Sequence, residues 1–170
     1  MLADLMRQTK DMYGVFYIRI TRKVTDRIFE EGSTFEIGKA ATLREGNDVT
    51  LITSGFCTSD TLKAADILAG QGISARVLNM FTWKPIDAQA VCDAAQQTSA
   101  IVTVENHNII NGLGSAVSEV VGECCPVPVK RIGVPDVFGE VGSIDYLKQT
   151  FHMTVDDIVK AAQEVINRKK

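Results

Sequence analysis

The chain is short of several things that would define its chemistry at once. Its four cysteines, Cys57, Cys92, Cys124 and Cys125, include no C-x-x-C pair, and two of them are adjacent. That spacing suits neither a disulfide framework nor a zinc site, so reduced and mostly buried thiols are expected. Only two histidines occur, His107 and His152, far apart in sequence, which leaves no expected metal site. No apolar run approaches the eighteen or so residues of a membrane span, and Asp4 interrupts the N-terminus where a signal peptide would continue its apolar core. A cytoplasmic protein without a membrane partner is expected. Eighteen basic against twenty-one acidic residues give a net charge of −3. That balance lacks the basic excess of a nucleic-acid footprint. There is no G-x-S-x-G elbow, no P-loop, no internal repeat and no low-complexity segment.

What is present is an ordinary globular composition over 170 residues, 45% apolar and 23% charged, enough for one real core. Leu2, Leu5, Met6 and Met12 suggest a short helix ended by Gly14, and "VFYIRIT" follows as a strand rich in β-branched and aromatic residues. Residues 25–47 are mostly polar and read as a linker, so residues 1–24 are assigned to a different unit, a chain carrying only the end of a preceding domain. From Asp48 an alternation begins. "DVTLITSG" is a buried strand, Ser59 can cap a helix carrying Leu62, Ala65 and Leu68 on one face, and Gly70 and Gly72 end it. "ISARVLNM" is the next strand, Asp87 caps a helix, "SAIVTVE" is a third strand, and a helix starts near Gly114. "VPVKRIGV" adds a strand, Ser143 begins a short helix, and Thr154 with Asp157 resembles a capping box before a stripe from Val155 to Ile166. This rhythm predicts a three-layer α/β/α domain over 48–170 with a mainly parallel sheet of about five strands.

The stretch "VTVENHNIINGLGSAVSEV" concentrates the candidate chemistry. Gly112 and Gly114 could open a G-x-G-x-x-G dinucleotide loop at a helix N-terminus, but Val117 occupies the third glycine position and the turn follows the third strand of the alternation. A turn that lets a helix pack closely is favoured. Glu105 and His107 are two apart and would point the same way in a strand. They read either as a catalytic dyad or as a polar pair holding a loop or a subunit interface, and the second is favoured because no nucleophile accompanies them. Arg19 and Arg22 lie at and just past the end of the first strand, where a guanidinium fork suits a phosphate or carboxylate and a solvated strand end explains it equally simply.

"VENHNIINGLGSAVSEVV", "PVKRIGVPDVFGEVGS" and "MTVDDIVKAAQEVI", with "DVTLITSGFCTSDTLKAADIL" and "ARVLNMFTWKPID" in the right order, resemble the C-terminal domain of the transketolase family from about Phe35 onward. The nearest likeness is to the C-terminal half of split, two-subunit transketolases. Similar domains end deoxyxylulose-phosphate synthases and the beta subunits of 2-oxoacid dehydrogenases, which stand as alternatives. The resemblance implies that one strand, the first after the linker, runs antiparallel, and that residues 1–24 are the last helix and strand of the pyrimidine-binding middle domain. It further implies a transferase that moves a two-carbon ketol unit between sugar phosphates with thiamine diphosphate and Mg2+. The G-D-G signature that holds the diphosphate in the family is absent, as is the activating glutamate of the middle domain. The chain alone is therefore expected to carry no catalytic residue, to bind no cofactor and to be inactive. An N-terminal thiamine-diphosphate-binding subunit or domain is the implied partner, in a homodimer or heterotetramer. Arg22 in "ITRK" matches the family arginine that contacts the sugar phosphate. Glu105, His107, Asn108, Gly112, Gly114 and Ser115 fall where interface parts are expected. Phe81 and Thr82 stand where the synthases carry an arginine, which weakens that alternative.

Overall fold

A computed structural model describes residues 1–22 and 25–169. The boundary expected at residue 24 and the end of the basic tail at Lys170 lie outside these residues. Five strands form one sheet: β1 (Ala41–Arg44), β2 (Val49–Thr53), β3 (Ala75–Asn79), β4 (Ile101–Asn108) and β5 (Val129–Val134). Their order across the sheet is β1-β3-β2-β4-β5, with every pair parallel except β1 with β3. The sheet is thus mixed, with one antiparallel edge strand, as the resemblance implied.

Strand parity builds the layers, because successive side chains point to opposite faces. Val49 and Leu51 of β2, Val77 of β3 and Val102 and Val104 of β4 pack under α2 (Cys57–Gly70) and α6 (Val155–Ile166). Ile52, Leu78 and Ile101, one residue out of phase, pack under α3 (Ala88–Thr98) and α4 (Leu113–Cys124). β2 is buried at all five positions because it is central and covered on both faces. The helix boundaries follow local chemistry. Asp87 Oδ1 accepts from Ala90 N at 3.1 Å to cap α3, and its other oxygen accepts from Ala40 N at 2.9 Å, tying the approach to β1. Ser143 caps α5 (Ile144–Thr150), and Thr154 with Asp157 forms the full capping box of α6.

Four expectations require correction. The stretch read as linker over 25–47 contains β1, so the sheet begins before residue 48; its four residues, "ATLR", are half-buried at best and carry no apolar run. "VFYIRIT" joins no strand ladder, and Val15, Tyr17 and Ile20 are exposed at 101%, 87% and 66%. High strand propensity does not make a strand without a partner whose backbone groups it can pair. Helix α1 (Leu2–Thr9), which precedes that stretch, buries none of its residues and is held through Asp4, whose Oδ2 accepts from Phe35 N at 2.9 Å. Ser59 is not a cap: α2 starts two residues earlier, after Phe56, and the Ser59 hydroxyl donates to Asp26. Finally, Cys92 of α3 and Cys124 of α4 form a disulfide across 6.0 Å between Cα atoms, so only Cys57 and Cys125 are free thiols. Among the described residues no helix is long and apolar enough to cross a membrane.

Candidate functional site

Glu105 shares the parity of Ile101 and Thr103, so its side chain points to the α3/α4 face just where β4 ends. It is fully buried. One carboxylate oxygen accepts from Leu113 N at 2.7 Å and the other from Gly114 N at 2.8 Å. These are first-turn amides of α4, which have no partner within the helix, and the anion also meets the positive end of the helix dipole. Burial lifts the Glu105 carboxyl above its ordinary range, while the amides of Gly114 and Leu113, then His107 and Arg131, pull it back.

Three glycines keep this junction close, two of them, Gly112 and Gly133, against Glu105 itself. A Cβ at Gly112 would land on Glu105 Oε2, one at Gly114 would meet Arg131 Cδ at 2.7 Å and Thr103 Oγ1 at 2.8 Å, and one at Gly133 would meet the His107 carbonyl at 2.9 Å and Glu105 Cγ at 3.0 Å. The pair Gly112 and Gly114 is therefore a close-packing turn, as its missing third glycine suggested. The backbone approaches a carboxylate of the same chain, and the amides a dinucleotide phosphate would need are already engaged.

His107 points the same way as Glu105, but its Nδ1 lies 3.9 Å from the carboxylate and 2.8 Å from the Asn108 carbonyl, and its ring meets Trp83 edge-on at 5.5 Å between centroids. The pair is not a hydrogen-bonded dyad. Asn108 Oδ1 accepts from Ile110 N at 2.8 Å, and Ser115 Oγ accepts from Asn111 N at 2.9 Å, which fixes the β4–α4 turn. Of the six residues expected at an interface, Glu105, Gly112 and Gly114 are enclosed by this chain's own residues, while His107, Asn108 and Ser115 are half-buried at the rim.

Asn106 has the opposite parity and faces the α2/α6 side. There, at the carboxyl ends of β2, β4 and β5, lies a cavity of about 260 Å³ whose wall includes Thr21, Arg22, Asn106 and Lys148, with Phe56 and Leu147 among its apolar members. β2 leads to β3 on one side while β4 lies on the other, so this is the topological switch point of the sheet, where open α/β sheets place their ligands. Arg22 is placed in the cavity wall. Arg19 is not; its guanidinium donates to the Asn106 carbonyl at the rim. Lys148 Nζ donates to Asp60 Oδ2 and sits 5.4 Å from the centre of the Phe56 ring. Sequence reading missed Asn106, Lys148 and Phe56. Only Phe56, directly after a buried strand, carried a positional signal. Nearby Cys57 is an inert thiol: burial, then the Asp60 charge, pushes it up to about 12.

Thiamine diphosphate does not fit the strand-to-helix turn, because Glu105 occupies both amides that would hold its phosphates and fills the space a ligand oxygen would take. Among the described residues no cluster of three His, Cys, Asp or Glu could hold a metal ion.

Fold and turn together define a mixed-sheet α/β/α domain whose strand-to-helix junction is closed by its own carboxylate. The sequence model described as "Transketolase, C-terminal domain" matches residues 38–158. The chain is 53% identical over 156 residues to the 6-deoxy-6-sulfo-D-fructose transketolase subunit of Clostridium sp. (strain MSTE9), covering 92% of this chain and 48% of that protein. It is 36% identical over 153 residues to an apulose-4-phosphate transketolase subunit of Phocaeicola vulgatus, covering 89% and 49%. A solved structure described as a split-gene transketolase, an inactive β4 tetramer, superposes with a TM-score of 0.95 at 39% identity, covering 98% of this chain and 55% of the other. The chain belongs to the transketolase family, as its C-terminal domain. It spans about half the length of these relatives.

Proposed function

We propose that this chain is the C-terminal section of a transketolase-like, thiamine-diphosphate-dependent enzyme, transferring two-carbon ketol units between sugar phosphates once assembled with a cofactor-binding section. The observation that carries this reading is the family match over 38–158 in a chain half the length of its relatives. The work of the chain is assembly and substrate contact. Thiamine diphosphate with Mg2+, bound by the partner section, would supply the carbanion chemistry. Arg22 contacts the anionic end of the sugar. The 53% identity with a sulfofructose transketolase subunit favours a second substrate, a sugar carrying a sulfonate in place of the phosphate.

Assembly uses apolar surface that this chain leaves uncovered. Tyr13, Val15 and Tyr17 on the N-terminal arm and Phe138 and Val141 after β5 are exposed. Exposed aromatic and aliphatic side chains in such numbers mark contact surfaces. His107, Asn108 and Ser115 lie at the rim of that interface, in a homodimer or a heterotetramer.

The test is reconstitution. Mixed with a thiamine-diphosphate-binding transketolase section, Mg2+ and the cofactor, the chain should restore ketol transfer from a ketose phosphate or a 6-sulfo-ketose. Turnover by the purified 170-residue chain alone, given the same cofactor and substrates, would overturn the reading.

A further inference from the structure

We propose that the Cys92–Cys124 bridge is a reversible redox modification site, opened by a dithiol reductant that attacks at Cys124, and that its state sets how firmly α4 is held. The proposal concerns bonds within this chain and stands independently of the proposed enzyme.

Three observations support it. First, the bridge can be reached. Cys124 is the last residue of α4 and is exposed, as are Gly122, Glu123 and Pro126 beside it, and the space next to Gly122 is open. Thiol–disulfide exchange requires such access, and exposed bridges are the ones that reductants open. Second, the bridge spans a sequence separation of 32 that holds the end of α3, all of β4 and α4, and the turn between them. Helix α4 is thereby pinned at both ends: Glu105 accepts from the amides of Leu113 and Gly114 at its start, and the bond to α3 holds its last residue. Opening the bridge releases the second pin and the loop-closure restraint that goes with it. Third, the two helices stay packed without the bond. Val91, Ala94 and Ala95 of α3 share one buried cluster with Leu113, Val117 and Val121 of α4, and neither bridging cysteine belongs to it. Both oxidation states are therefore folded, as a switch requires. The exchange balances as a two-electron reduction. One thiolate of the dithiol attacks Cys124 Sγ and forms a mixed disulfide, while Cys92 leaves as a thiolate and takes up a proton. The second thiol then attacks the reductant's own sulfur and expels Cys124, which takes up the other proton, and the reductant departs as a disulfide. A monothiol stops at the mixed disulfide until a second molecule arrives, so a dithiol is the fitting class. Closure is the reverse exchange with a disulfide oxidant.

The experiment incubates the intact folded chain with dithiothreitol, alkylates it with iodoacetamide and locates the modified cysteines by peptide mass. Before reduction only Cys125 should react; afterwards Cys92, Cys124 and Cys125 should, with buried Cys57 spared throughout. Circular dichroism should show the chain still folded. Hydrogen exchange should show protection at Val120 to Cys124 falling about tenfold or more, grading to little change at Leu113, with α2 and α6 on the other face unaltered. Glutathione disulfide should restore both the bridge and the protection. Cys92→Ser should exchange like the reduced parent and ignore reductant, whereas Cys125→Ser should keep the bridge and its response. Because the reduced parent itself supplies the open state, the test does not depend on either variant folding. Alkylation of Cys92 or Cys124 before reduction, a bridge that opens only on unfolding, reclosure onto Cys125, or α4 exchange indifferent to opening would each overturn the proposal.

Discussion

Replacing Glu105 with alanine tests the central contact of the β4–α4 junction. The substitution removes the acceptor of two buried amide bonds, from Leu113 N at 2.7 Å and Gly114 N at 2.8 Å, and leaves both donors enclosed beneath the first turn of the helix. Each buried donor left unpaired costs about 1–3 kcal/mol, and the lost helix-terminus charge adds roughly 0.3–1 kcal/mol. Relief from burying a carboxylate offsets part of this, so a net loss of about 2–4 kcal/mol is expected. With a urea dependence of roughly 2 kcal/mol per molar, the midpoint should fall by about 1–2 M at unchanged slope. Gly112→Ala supplies the internal control. Gly112 has φ −101°, a region any residue adopts, so its penalty is the contact of the new Cβ with Glu105 Oε2 together with a 2.8 Å contact to the Asn108 carbonyl, and only the first is removed by Glu105→Ala. Alone it should cost about 1–3 kcal/mol, and in the Glu105→Ala background clearly less, giving a coupling of about 1 kcal/mol or more in a double-mutant cycle. Equilibrium unfolding followed by circular dichroism reads all four proteins. A Glu105→Ala variant within about 0.5 kcal/mol of the parent, or strictly additive effects, would refute the reasoning.

Four further outcomes are expected. Glu105 has a folded-state pKa raised above its unfolded value, so between the two the native state holds a proton that the unfolded state has released. Its contribution to stability is present at low pH and declines as pH rises through the folded pKa; Glu105→Gln should flatten that part of the stability profile above pH 4.5. Maleimide labelling of the unreduced native chain should modify Cys125 and spare Cys57, buried with its pKa pushed up to about 12, while Cys92 and Cys124 label only after reduction. Reduction should also lower stability by about 3–4 kcal/mol, the loop-closure value for a 32-residue separation, and a thermal midpoint unmoved by reductant would count against the bond. Thr154→Ala removes half of the α6 capping box and should cost about 1 kcal/mol, read as a lower unfolding midpoint.

Much of the architecture was legible because it follows local rules. The runs at Val49, Ala75, Ile101 and Val129 carry apolar residues on the parity each face requires, and Asp87, Ser143 and Thr154 cap the helices that begin after them. β1 was not legible, since an edge strand of four half-exposed residues has no pattern that separates it from a polar loop. The opposite error occurred at Val15 to Thr21, where the pattern of a strand is present but no strand ladder forms among the described residues. At the site, the shared direction of Glu105 and His107 could be read from their spacing. That Glu105 reaches the amides of Leu113 and Gly114 while His107 turns to the Asn108 carbonyl and Trp83 could not.

The sequence by itself determined the alternation of strands and helices from β2 onward, the caps of α3, α5 and α6, the close-packing glycines and the family, because each is written within a few neighbouring residues. Tertiary structure decided the rest. It joined Cys92 to Cys124 by packing α3 against α4, and it set Lys148 against Asp60, 88 positions away, beside Arg22 and Asn106. It also turned an apparent acid/base pair into a helix anchor and a rim histidine. The physical reason is common to all three: ion pairs, disulfides and cavities depend on distances between elements, and those distances exist only once both faces of the sheet are covered.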